Sequence, residues 1–171
     1  MNSILNKKNI LITGGSGSIG QALAKKALTD GANLIKIFSN DENSLYETEQ
    51  EFGKNDKFEY IIGDIRDDNK VKSIIKNIDI VFHAAALKHV DRCEFHPFEA
   101  FQTNIVGTNN VIQAAIHEGV KKLIYISTDK AVNPIGVMGA SKLLGEKLIS
   151  AEAFYNSTDT IFASTRFGNV L

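Results

Sequence analysis

Apolar runs of strand length recur along the chain at Ile10–Thr13, Leu34–Phe38, Phe58–Ile62, Ile78–Phe82, Leu123–Ser127 and Ile161–Ser164, with helix-length segments between them. Runs that are apolar at nearly every position, rather than at alternate ones, predict strands buried on both faces. Ile19, Ala22, Leu23, Ala27 and Leu28 repeat at spacings of three and four, which predicts one apolar stripe of a helix that stops at Gly31. Ile105, Thr108, Ile112, Ala115 and Ile116 predict a second such stripe ending at Gly119. No repeat, low-complexity stretch or proline-rich linker interrupts the pattern, so residues 1–171 read as one domain. Strands alternating with helices through right-handed crossovers make that domain α/β, a Rossmann-type doubly wound parallel sheet in the order 3-2-1-4-5-6.

Composition narrows the function classes. With 171 residues, 43% hydrophobic and 23% charged, the chain has material for one well-buried core. A net charge of −1 gives no bulk attraction to nucleic acid or to an anionic membrane surface. Cys93 is the single cysteine, which rules out an intramolecular disulfide and a CxxC zinc or redox pair and fits a cytoplasmic protein. Residues 1–9 lack a hydrophobic signal core, and no run approaches the roughly 18 apolar residues of a spanning helix. The last residues, from Thr165 to Leu171, follow a strand-like run without a capping helix, and this reads as a chain that stops short of a C-terminal substrate domain.

Thr13-Gly-Gly-Ser-Gly-Ser-Ile-Gly20 follows the first predicted strand and opens the first helix. Gly14, Gly17 and Gly20 form a GxxGxxG in the context that binds a dinucleotide pyrophosphate. Glycine permits the turn and the close approach, and the helix N-terminus at Ser18 and Ile19 offers free amides to the anion. A tight turn without a ligand is the alternative. An acid at the end of the second strand would accept both ribose hydroxyls and disfavour a 2′-phosphate. This chain has Phe38-Ser39-Asn40-Asp41-Glu42 there, so Ser39 and Asn40 are candidate donors to a 2′-phosphate, with no arginine beside them. The reading leans to NADP, with NAD as the alternative. Asp41 and Glu42 equally read as the start of the next helix, where acids suit the dipole. Asp64 and Ile65 after the third strand, and Ala84 and Ala85 after the fourth, complete the candidate dinucleotide site. Asp64 is placed to accept from an adenine amino group, and small alanines let a cofactor lie against the backbone. His83 reads as a hydrogen-bonded structural histidine. His89, His96 and His117 have no ligand spacing, so no metal site is assigned.

Ser127-Thr128-Asp129-Lys130 sets hydroxyls, an acid and a base at a strand's carboxyl end, where open α/β sheets hold their ligands. A polar turn with a surface ion pair is the alternative. Further stretches join it: His83-Ala-Ala-Ala-Leu-Lys-His-Val90, Glu94-Phe-His-Pro97, Thr103-Asn-Ile-Val-Gly-Thr108, Ser127 through Pro134, Met138-Gly-Ala-Ser-Lys142 and Thr165 through Leu171. Together with the glycine loop they make the chain resemble extended short-chain dehydrogenase/reductases, specifically the nucleotide-sugar 4,6-dehydratases of the capsule and flagellin-glycosylation type. The glycine loop marks only the superfamily. Ala85-Ala-Leu-Lys-His-Val90 and Ser127-Thr-Asp-Lys-Ala-Val-Asn-Pro134 mark the branch.

The resemblance implies a lyase that acts on UDP-N-acetylglucosamine, often with inversion at C5, in surface polysaccharide or glycan synthesis. Bound NADP would take hydride from C4, water would leave across C5 and C6, and hydride would return to C6. Asp129 is then the acid and Lys130 the base of the elimination, while Thr128 bonds the C4 oxygen and Lys142 bonds the nicotinamide ribose and adds positive charge near the nicotinamide. Lys88 and Asn169 lie near substrate, Asn169 at the UDP phosphates. Asn104 falls where relatives keep a helix-kinking or site-supporting asparagine, structural and catalytic roles both standing open. Self-association into a homo-oligomer is also implied. The chemistry needs Lys130 to lose its proton more easily than a free lysine and Asp129 to hold one more tightly than a free aspartate, which an alternating microstate of the coupled pair satisfies.

One position departs from the superfamily pattern. Tyr-x-x-x-Lys puts a phenol and an ammonium on one helical face, and here Met138-x-x-x-Lys142 keeps the lysine and loses the phenol. A thioether accepts no proton at useful strength. One branch of the dehydratases also carries methionine, so the oxidation base is left between Lys130 and Asp129 acting through Thr128, and Met138 itself reads as helix packing. Two rival functions remain. One is a nucleotide-sugar 4-epimerase or reductase of the same superfamily, and the other is a non-catalytic dinucleotide-binding protein.

Overall fold

Each apolar run becomes a strand in the computed structural model, which describes residues 3–155 and 159–168: β1 (Asn9–Thr13), β2 (Leu34–Ser39), β3 (Phe58–Ile62), β4 (Ile80–His83), β5 (Lys122–Thr128) and β6 (Ile161–Phe167). They form one sheet in the order β3-β2-β1-β4-β5-β6, parallel at every pairing, as the sequence predicts. The order reverses between β1 and β4, and a crevice opens there at the carboxyl ends of the strands.

Among the described residues seven α-helices connect the strands: α1 (Ser18–Thr29), α2 (Glu42–Phe52), α3 (Asp68–Ile74), α4 (Val90–Phe95), α5 (Pro97–Phe101), α6 (Thr108–His117) and α7 (Val137–Tyr155). Because side chains alternate across a strand, each strand feeds two cores. Leu11, Val81, Leu123 and Tyr125 pack with α3, α6 and α7, whereas Ile10, Ile12, Ile35, Ile37 and Ile80 pack with α1 and α2. Burial of each such side chain contributes about 1.5–3 kcal/mol before the cost of ordering it. The stripe of α1 differs in one place from the sequence reading. Ala22 is exposed and Gly20, Ala24 and Ala27 form the buried line where the helix meets β1 and β2, with Leu23 and Leu28 half-buried against the same core.

Local chemistry places the ends that matter. Asp41 caps α2, its carboxylate accepting from the Ser44 amide at 3.0 Å and the Ser44 hydroxyl at 2.8 Å, so the helix-start reading of this acid holds. The N-terminus of α7 borrows its anion from another helix, the Glu94 carboxylate of α4 accepting from the Val137 amide. Between α5 and α6 the chain passes through a π-helical turn, Gln102–Gly107, which brings Asn104 to complete burial. Such turns are rare and recur beside functional sites. No helix among the described residues is long and apolar enough to cross a membrane.

Candidate active site

The crevice holds a cleft with two lobes. The first, about 310 Å³, reaches from the glycine loop to the ends of β5 and β6, and the second, about 410 Å³, runs over the ends of β2 and β3. Gly14, Gly17, Ala84 and Lys88 line both, so the lobes are one continuous trough across the switch point. Ser18, Ile19, Gly20, Thr128, Lys130 and Lys142 line the first, and Ser39, Asn40, Asp64, Ile65 and Ala85 the second. Asp129 is more than half exposed and is not among the residues lining either lobe. Asn169 lies outside the described residues.

The three loop glycines are not equivalent. A Cβ on Gly14 (φ +67) would lie 2.7–2.9 Å from the backbone of Ala84 and Ala85, and one on Gly20 would lie 2.5–2.7 Å from Gly14 and Gly15. Those two let β1, α1 and the end of β4 touch. Gly17 is different. It has an ordinary extended backbone, and an added Cβ would meet only the Gly14 carbonyl, at 3.4 Å. Nothing in the protein needs glycine at 17, yet it borders both lobes at the N-cap of α1, where no side chain caps the helix and no acid stands in the first turn. Open amides beside a cradle that a methyl would fill are what a pyrophosphate requires. Gly17→Ala should therefore leave the melting temperature within about 2 °C and raise the dissociation constant for a nicotinamide dinucleotide at least about tenfold, read by thermal shift and calorimetric titration. Equal affinity in the two proteins would return the loop to a plain turn.

At the second lobe Ser39 is buried, its hydroxyl accepting from Ser16 at 2.8 Å and from the Asp41 amide at 3.1 Å. Asp41 is spent on its cap, and Glu42, exposed in the first turn of α2, does not line the lobe. The sequence reading saw no arginine near Ser39 and Asn40, but Arg66 reaches the same lobe from the loop after β3. Arg66 donates to Asp64 through Nε (2.8 Å) and an Nη (2.6 Å) and to Glu99 (2.8 Å). Asp64 is thereby held below the usual carboxylate range against its partial burial, with most of its acceptor capacity already engaged by Arg66.

The tetrad at the end of β5 is at once a capped turn and part of the cleft wall. Thr128 is the last strand residue, and its hydroxyl accepts from the Lys130 amide at 3.3 Å and donates to the Asp129 carboxylate at 3.0 Å. The Lys130 ammonium stands 3.4 Å from the same oxygen. The Thr128 hydroxyl first, with Lys130 adding to it, keeps the Asp129 carboxyl below its ordinary range. The chemistry called for the opposite direction, and the difference follows from exposure, since water and two donors favour the carboxylate here.

Lys142 is the buried lysine of the site. It is 6% exposed, donates to the Ile126 carbonyl at 2.6 Å and lies 4.1 Å from the centre of the Tyr125 ring. Burial pulls its pKa down to about 7. Met138, one turn earlier, is 5% exposed and packs with Cys93 and Ala100 while its edge lines the first lobe. His83 is structural, as expected. It is wholly buried between Thr13 (2.6 Å) and Thr108 (3.0 Å), and burial lowers its pKa to about 3. Asn104 supports the cleft wall without lining it. Its Oδ1 accepts from the Leu87 amide at 2.7 Å, and its Nδ2 donates to the Leu87 carbonyl at 3.0 Å and to the Ser141 hydroxyl at 2.9 Å.

Besides Arg66, Glu146 and Arg166 escaped the sequence reading. Glu146 follows Lys142 by one turn of α7 and is 7% exposed, and Arg166 of β6 grips it through both carboxylate oxygens, at 2.8 and 2.7 Å. The signal was present as the Lys142-x-x-x-Glu146 spacing, but its partner lay beyond the predicted end of the sixth strand. Among the described residues no group of three or more His, Cys, Asp or Glu side chains could hold a metal ion.

Comparison with known proteins bears out the resemblance carried by the motifs. Residues 10–171 match the family described as polysaccharide biosynthesis protein. A UDP-glucose 4-epimerase of Rickettsia bellii is 47% identical over 169 residues, 96% of this chain and 49% of that protein. A UDP-N-acetylglucosamine 4,6-dehydratase (inverting) of Campylobacter jejuni is 44% identical over 170 residues, 98% of this chain and 51% of that protein. The crystal structure of Pen from Bacillus thuringiensis superposes with a TM-score of 0.96 at 44% identity, covering 99% of this chain and 54% of that one. The chain thus spans about half the length of the relatives it matches. Structures solved with bound NAD, among them a dTDP-glucose 4,6-dehydratase of Streptomyces venezuelae and a UDP-glucose-4-epimerase of Stenotrophomonas maltophila, share the fold at 22–25% identity.

Proposed function

We propose, since the chain belongs to the polysaccharide biosynthesis protein family, that its cleft is the dinucleotide half of a nucleotide-sugar 4,6-dehydratase acting on UDP-N-acetylglucosamine. The observation that carries this is the convergence of Thr128, Lys130 and Lys142 with the glycine loop on one lobe. The fit of a nicotinamide dinucleotide is supported by the free amides at α1 and by the open cradle at Gly17. Ser39 and Asn40, with Asp41 committed to its cap, favour NADP over NAD. When bound, the cofactor supplies an acceptor for hydride from C4 and a donor for its return to C6.

The protein's part is to hold the sugar and to move protons. Thr128 Oγ1 holds the C4 oxygen. Lys130 and Asp129 carry the elimination, and their contact suggests how one pair serves as both base and acid. Transfer of one proton across the 3.4 Å separation converts ammonium and carboxylate into amine and carboxylic acid. That neutral pair is disfavoured while both groups face water and gains as substrate covers them, because a low dielectric penalises charge. The Lys130 amine then takes the C5 proton as the Asp129 acid protonates the departing C6 hydroxyl. The pair finishes ionic, water is released, and the C5–C6 double bond holds the electrons of the broken C5–H bond. Lys88, exposed and lining both lobes, lies near the substrate in this reading.

Incubation of the full-length protein with UDP-N-acetylglucosamine in deuterated water tests the reading. Dehydration places solvent deuterium at C5 and yields a 4-keto-6-deoxy sugar. The rival supported by the Rickettsia relative, 4-epimerisation, leaves C6 oxygenated and C5 undeuterated, and that outcome would sink the dehydratase.

A further inference from the structure

Lys142 is a buried amine without a carboxylate of its own. Glu146, at the i+4 position where a lysine's partner is expected, turns both oxygens to Arg166. The arrangement follows from register. Ser127 of β5 pairs with Arg166 of β6, so both side chains stand on the sheet face that carries α7. Arg166 thus rises beside Glu146, whose side chain is only 9% exposed. What remains to hold Lys142 is the Ile126 carbonyl and the face of Tyr125.

We propose that the Arg166–Glu146 pair is a positioning device for Lys142, which by occupying the neighbouring carboxylate keeps the lysine unpaired and its proton exchangeable inside the cofactor cleft. The inference rests on the reading of that cleft as a nicotinamide site, where a permanent cation beside the ring would weaken binding of the oxidised, positively charged form. A lysine able to shed its proton removes that repulsion, and one locked to Glu146 cannot.

The other groups facing Lys142 do not supply the effect. On β4, His83 is neutral, its pKa near 3. On β5, burial raises the Tyr125 phenol and keeps it uncharged. In the turn after β5, Asp129 is engaged by Thr128 and by Lys130, which brings its own positive charge to the first lobe. The charge that can be redirected at Lys142 is Glu146, and Arg166 directs it away. Its carboxyl lies below the ordinary range first because of the Arg166 hydrogen bonds, and the same carboxylate acts to raise Lys142 against the larger effect of burial.

Titration of the chain labelled with ¹⁵N at lysine Nζ, with the Lys142 signal assigned by its loss in Lys142→Arg, tests this directly. In the parent the Lys142 midpoint falls near 7. In Arg166→Gln, Glu146 is released and the midpoint rises by about one unit or more, as an opposite charge within a few ångströms produces. In a Glu146→Gln background the same Arg166→Gln change moves nothing, because no carboxylate is left to release. If Arg166→Gln fails to fold by circular dichroism, Arg166→Lys replaces it and gives a smaller rise. An unmoved midpoint in the folded Arg166 variant, or a rise that persists without Glu146, overturns the proposal. A second readout is the ratio of NADP⁺ to NADPH affinity, which falls in the Arg166 variant at pH 8. Failure of the full-length protein to dehydrate its sugar leaves these titrations unaffected, and an unmoved midpoint leaves the dehydratase reading standing.

Discussion

Lys130→Ala lowers turnover of the nucleotide sugar by about a thousandfold or more in the full-length protein, within the 10²–10⁴ range of a lost acid–base group. The loss falls on kcat, since the side chain is asked to act at C5 and not to hold the nucleotide. Stability changes little, because Lys130 is 44% exposed and its contact with Asp129 is a surface ion pair that water and salt screen. Lys130→Arg is equally inactive, as a guanidinium does not surrender its proton. Asp129→Asn is comparably slow, and combining it with Lys130→Ala adds little, because base and acid act in one elimination. The measurements are steady-state turnover and wash-in of solvent deuterium at C5, with cofactor affinity as the control. Turnover that survives Lys130→Ala would remove the elimination pair from this site and favour the epimerase.

How far the sequence carried depended on whether a residue's task is local. The sheet order was legible because six apolar runs separated by helix-length segments admit few right-handed arrangements. The dinucleotide loop was legible because turn, close approach and helix start are consecutive in the chain. Which of its glycines serve packing and which is left for a ligand was not, since Gly14 and Gly20 are fixed by contacts with Ala84, Ala85 and Gly15 that only the assembled fold displays. The Asp129 carboxyl lies below its ordinary range because it faces water and two donors, whereas the chemistry describes a site covered by substrate. Arg166 was missed because the sixth apolar run ends at Ser164, whereas the strand runs on through Arg166 to Phe167. An edge strand can carry such residues, and β6 is exposed at most of its positions. Arg66 was missed for a similar reason. It belongs to the third strand's loop and meets Ser39 and Asn40 only once β2 and β3 pair.

Asn104 was legible as a position and illegible as a role, and its substitution separates the two. Asn104→Ala removes three hydrogen bonds from a side chain with no exposure, leaving the Leu87 amide, the Leu87 carbonyl and the Ser141 hydroxyl short of a partner. Buried groups left unpaired cost about 1–3 kcal/mol each, and partial relaxation brings the expected total to about 3 kcal/mol. For a chain of this size that lowers the melting temperature by about 6–12 °C. The damage also has a direction. Leu87 belongs to the segment after β4 that lines both lobes, and Ser141 belongs to α7 immediately before Lys142, so the asparagine ties the floor of the cleft to the helix that carries the buried lysine. Cofactor affinity should therefore fall along with stability, whereas Gly17→Ala lowers affinity alone. In full-length protein kept well below its melting temperature and saturated with cofactor, Asn104→Ala should retain most of its kcat, because the side chain touches neither lobe. A kcat loss like that of Lys130→Ala, with the melting temperature preserved, would make Asn104 a catalytic residue instead.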